Sequence, residues 1–170
     1  MKSSKTIAIS AIAAAFCGVL VGVGGFLGDF DFSCYMLAGI ALTLPLYRDS
    51  IWGCVLAYLA GSLIGLLFTG FNVIRILPFL IWFGIHPVLG CVLSRKGVKS
   101  WIIYLIELAL LEISVFIMLK FTTMLVVKAD LLNENSWLFY LIAAPLLFIY
   151  DKMVHTIVSY LFRLLGRIVK

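Results

Sequence analysis

Ionisable side chains inside a long apolar chain are costly in lipid, so each marks a candidate site. Five of them fall together in the second half of the sequence: His86, Glu107, Asp151, Lys152 and His155. Asp151 and His155 are four residues apart, which places them on one face of a helix. Helices carrying His86, Glu107 and Asp151 could bring an imidazole and two carboxylates together. Such a set can hold a metal ion, relay a proton or lock helices through a polar network. The expectation is the lock, a structural polar cluster of His86, Glu107, Asp151 and His155 with no metal.

A second group is formed by Asn72, Arg75 and Lys120, with the aromatics Tyr35 and Trp137 at similar depth. Both signs of charge occur nearby, since Asp29 and Asp31 precede Tyr35. These residues could line a pocket for a ligand bearing a carboxylate or phosphate. Equally, they could be ordinary interfacial residues, with Lys120 extending its stem to the headgroups.

The elements that must position these groups are helices in a membrane. Of the 170 residues, 64% are hydrophobic and 12% charged, far from the balance of a soluble domain. Continuous apolar runs, rather than alternation, argue for helices over a barrel. Six segments are expected, at about 6–28, 32–47, 50–70, 73–93, 101–127 and 137–165. The fold class is therefore all-α, a compact bundle of six transmembrane helices in a single domain. The second segment is short, and Pro45 is expected to kink or end it. The first could pass for a secretory signal, but its apolar run is long enough to span, so it is read as a retained helix.

Charge in the joints orients the bundle. Lys2, Lys5, Arg48, Arg95, Lys96, Lys99, Arg163, Arg167 and Lys170 all fall on one side if the segments alternate. The other side receives Asp29, Asp31, Arg75, Lys128, Asp130 and Glu134. By the bias of basic residues both termini are expected to be cytoplasmic, in a multi-pass protein of the cell membrane. The net charge of +5 is thus read for topology, and no nucleic-acid partner is expected. Cys17, Cys34, Cys54 and Cys91 lie within apolar runs and form no C-x-x-C pair, so they read as buried thiols.

No G-x-S-x-G, H-E-x-x-H or Walker A pattern occurs, so no enzyme and no cofactor are expected. Small residues recur at Ser10, Ala14, Gly18 and Gly22, with Ala11 and Ala15 beside them, and again at Gly53, Ala57, Gly61 and Gly65. Small residues let helix backbones approach closely in lipid. The contact can lie within the chain or with a partner.

Ala11-x-x-x-Ala15 in SAIAAAFCG, six helices, no ATP site and a basic C-terminal stretch resemble the substrate-binding S components of energy-coupling factor (ECF) transporters. The segment RILPFLIWFGIHPVLGCVLSRKG is also similar to uncharacterised six-helix bacterial membrane proteins with an F-G-x-H/Y-P turn. The ECF resemblance implies a subunit that binds a vitamin or other micronutrient near its outer face. It implies docking on a transmembrane coupling subunit, served by two ATPases, through Ala11, Ala14, Ala15, Gly18 and Gly22. Asn72, Arg75, Lys120, Tyr35 and Trp137 would then contact the ligand. The other reading is a structural or assembly subunit of a different membrane complex, with no small-molecule ligand.

Overall fold

The computed structural model describes residues 4–27, 31–125 and 136–168. Among these residues the chain is all-α, with no strand. Helix α1 spans Ser4–Leu27 and α2 spans Asp31–Ala41. A 3-10 helix, Leu44–Arg48, leads to α3 at Ile51–Phe68. Then come α4 at Val73–Pro78, a π-helical turn at Phe79–Phe83 and α5 at His86–Arg95. Helices α6, Ser100–Leu125, and α7, Ser136–Ile168, complete the described chain. Taking α4, the π turn and α5 as one interrupted rod gives six helices among the described residues.

Four rods are long and apolar enough to cross a membrane: Ser4–Leu27, Ile51–Phe68, Val73–Arg95 and Ser100–Lys120. Their outward surfaces are strongly apolar, with Ile12, Phe16, Leu56, Leu63, Trp101 and Phe116 exposed. In water such a surface would aggregate; in a bilayer it faces solvent of its own kind. The architecture is that of a membrane protein.

Two interruptions trace to proline. Pro45 has no N–H to continue α2, and the chain tightens into the 3-10 helix before Ser50 caps α3 by accepting from the Gly53 N–H at 3.1 Å. In the interrupted rod, the Gly84 N–H bonds back to the Phe79 carbonyl, five residues away. Pro87 then lacks the N–H that would reach the Phe83 carbonyl. Hydroxyls from two neighbours take up carbonyls of this turn. Tyr58 of α3 donates to Leu80 at 2.8 Å, and Ser114 of α6 shares its hydroxyl proton between Leu110 of its own helix at 2.7 Å and Ile81 at 3.2 Å. Backbone left unpaired in lipid would cost several kcal/mol, and these hydroxyls offset part of that cost at Leu80 and Ile81.

The most extensive helix contact is α1 on α3. A Cβ at Gly61 would sit 2.5 Å from the Cys17 sulfur, and one at Gly18 would sit 2.7 Å from Ile64 Cβ. The core around it collects Ala13, Cys17, Val21, Tyr35, Leu42, Ala57 and Phe79. A second seam joins Ile40 of α2 to Val154 and Val158 of α7. All four cysteines are free thiols, with Cys17 and Cys54 buried and Cys34 and Cys91 half-buried.

Lys2, Asp29, Lys128, Asp130, Glu134 and Lys170 lie outside the described residues, as does the side chain of Arg167.

Candidate functional site

The π turn sets the register of α5. Trp82, His86 and Gly90 are four apart, so they line one face of the rod. His86 is the first residue of α5 and is buried. Its Nε2 lies 3.3 Å from Glu107 Oε2 of α6, with both side chains 1% exposed. Asp151 of α7, half-buried, completes a set whose ligand atoms all lie within 4.8 Å of one another. The structure thus brings His86, Glu107 and Asp151 together, from three helices.

Two aromatic rings flank the imidazole. The Trp82 ring centroid is 4.6 Å away and that of Tyr150 is 4.9 Å away. Phe83 meets Tyr150 edge-on at 5.6 Å. Gly90 leaves room for the carboxylate, since a Cβ there would lie 2.6 Å from Glu107 Oε1. Both ring nitrogens of His86, both carboxylate oxygens of Glu107 and the Tyr150 hydroxyl are buried without a hydrogen-bond partner. Buried polar atoms are paired as a rule, and each exception calls for an explanation. One nitrogen and two carboxylates facing each other can share a proton or hold a cation.

His155, the fourth member expected in this cluster, is exposed one turn beyond Asp151 and lies outside it. Lys152 turns away, with its ammonium 5.5 Å from the Phe148 ring centroid. Tyr150, Trp82 and Gly90 carry no expectation from sequence. Signals for them exist: Tyr150 precedes Asp151, and the other two sit four residues on either side of His86.

The second group is less convergent. Asn72 caps α4, its side chain accepting from the Arg75 N–H at 3.4 Å. The Arg75 guanidinium donates to the Gly25 carbonyl at 3.0 Å, tying α4 to the end of α1. Tyr35 is buried, and its hydroxyl donates to the Arg75 carbonyl at 2.7 Å. These three residues form one internal bracket. Lys120 is exposed on α6, 5.9 Å from the Phe116 ring centroid. The side chain of Trp137 lies outside the described residues.

The small-residue stripe divides in two. Gly18 and Gly22 are buried against Ile64 and Phe68 of α3, so they act inside the chain and not on an outward docking face. The reason is reciprocity: α3 brings its own row, Gly53, Ala57, Gly61 and Gly65, all buried in the same seam. Ala14 is half-buried, while Ala11 and Ala15 are exposed.

An open depression of about 550 Å³ lies at the opposite end from Arg75. Thr6, Arg48, Asp49, Ser50, Ile51 and Trp52 line it. Nearby, Arg95 pairs with Asp49 at the surface. No protein-family model matches the chain, and no significant match is found among curated proteins or solved structures.

Proposed function

We propose that this chain is a membrane-embedded substrate-binding subunit of the energy-coupling-factor type, without catalytic activity of its own. In this reading it is a multi-pass protein of the cell membrane with both termini cytoplasmic. It works with a transmembrane coupling subunit and two ATPase subunits, and its ligand is a small micronutrient. The observation that carries the reading is on α1. Gly18 and Gly22 are occupied by α3, yet Ala11 and Ala15 stand exposed, one turn apart, beside that seam. A smooth strip of this kind gains little from lipid and admits the close approach of another helix.

A second reading is favoured by the bracket at the Arg75 end. Tyr35 and Arg75 are both engaged in internal bonds, as a structural or assembly subunit without a ligand would have them.

The test is affinity capture of the tagged protein from its own membranes in mild detergent. Co-purifying chains and small molecules are then identified by mass spectrometry. Recovery of a coupling subunit with two ATPases, lost in Ala15→Trp, is the expected result. Recovery of a different membrane complex, or normal assembly by Ala15→Trp, moves the assembly reading to first place.

A further inference from the structure

We propose that His86, Glu107 and Asp151 form a binding site for one divalent transition-metal ion of the Zn²⁺ class. Geometry is the first ground. His86 Nε2 and Glu107 Oε2 are 3.3 Å apart, yet neither atom makes a hydrogen bond of acceptable geometry. Two atoms bound to one tetrahedral ion at 2.0–2.2 Å lie roughly 3.4 Å from each other. The pair therefore has the spacing of co-ligands and not the orientation of a donor and acceptor.

Charge points the same way. A neutral imidazole with two carboxylates bears two negative charges, and a divalent cation makes the centre neutral. The nearby basic groups are directed elsewhere: Arg95 is held by Asp49, and Lys152 lies over Phe148. At His86, nine residues or roughly 14 Å along the rod from Arg95, uncompensated charge is costly.

Shape is the third ground. Gly90 makes room for Glu107, and the rings of Trp82 and Tyr150 hold the imidazole from two sides. Asp151 is the half-buried member, and all ligand atoms of the set lie within 4.8 Å of one another. That limit exceeds a tetrahedral spacing by roughly 1.4 Å. Three protein ligands leave a position for water, and the Tyr150 hydroxyl, buried and unpaired, is available to it. One imidazole nitrogen and two carboxylates favour borderline metals such as Zn²⁺ over soft ones.

The experiment uses the full-length protein in mild detergent, stripped with chelator and titrated with Zn²⁺ alone. Bound metal is quantified by elemental mass spectrometry after gel filtration, and Co²⁺ serves as a spectroscopic substitute. One equivalent is expected for the wild-type chain. Asp151→Asn and Glu107→Gln should each weaken binding by at least about tenfold. His155→Gln, at an exposed imidazole outside the cluster, should bind as the wild type does. Glu107→Gln lies in the interior and can fail to fold, so Asp151→Asn is the decisive variant, with wild-type stoichiometry beside it. A wild-type chain that takes up no Zn²⁺, or an Asp151→Asn chain that binds as tightly as the wild type, overturns the proposal. The measurement needs no coupling subunit, so its failure and that of the transport reading are separate results.

Discussion

Gly90 of α5 faces the Glu107 carboxylate of α6 so closely that a Cβ at residue 90 would lie 2.6 Å from Oε1. The obstacle is the far end of a flexible side chain, so Gly90→Ala should displace the carboxylate and leave the helices in place. Alanine also favours the helical backbone over glycine by about 1 kcal/mol. Gly90→Ala is thus expected to unfold at a temperature close to that of the wild type while taking up less Zn²⁺. Thermal unfolding and metal content, measured on the same preparation, check this.

His86 and Glu107 are expected to be far more costly to separate than to replace together. Glu107→Leu leaves the buried imidazole facing an apolar side chain, a loss of about 1–3 kcal/mol for a buried polar group without a partner. His86→Leu with Glu107→Leu removes both polar groups and should recover much of that loss. Denaturation of the wild-type, single-variant and double-variant chains in detergent, all treated with chelator, gives the comparison. A double variant as unstable as Glu107→Leu would show that the pair does not act as a unit.

The α1–α3 seam should discriminate sharply between neighbouring small residues. Gly61→Leu forces a side chain into Cys17 and is expected to cost about 1–3 kcal/mol or to prevent folding. Ala15→Leu, at an exposed position of α1, should stay within about 0.5 kcal/mol. Gel filtration and thermal stability report both. Equal effects would mean that the buried side of α1 is not the one assigned.

Tyr35 holds α2 to α4 through a single neutral hydrogen bond. Tyr35→Phe should therefore lower stability by about 1 kcal/mol, since the ring remains and the Arg75 carbonyl loses its donor. Arg75→Ala frees the Gly25 carbonyl at the end of α1 and is expected to act in the same direction. If Tyr35→Phe instead leaves stability unchanged and alters retention of a co-purified small molecule, the residue belongs to a ligand site.

The helices were legible in the sequence because lipid imposes a length. A run near 20 apolar residues is long enough to span whatever its neighbours do. So the expected 6–28, 50–70 and 101–127 agree closely with Ser4–Leu27, Ile51–Phe68 and Ser100–Leu125. Pro45 ended the second helix for a local reason equally visible in sequence, and α2 stops at Ala41. The expected 73–93 was right as a rod and wrong as a continuous helix. Its π turn is supported by Tyr58 and Ser114, which come from other helices and donate to carbonyls of the broken backbone.

Which face of each helix turns inward was decided by tertiary structure alone. In water, a polar stripe tells inside from outside. In lipid, α1 is apolar all round, so Gly18 and Ala15 look alike until α3 is set against one of them. The polar cluster shows the same division. Sequence singled out His86, Glu107 and Asp151 on three helices, because ionisable groups within apolar runs are conspicuous. Only the packing of those helices, with Gly90 opening space and Trp82 and Tyr150 closing it, decided that the three meet and that His155 does not.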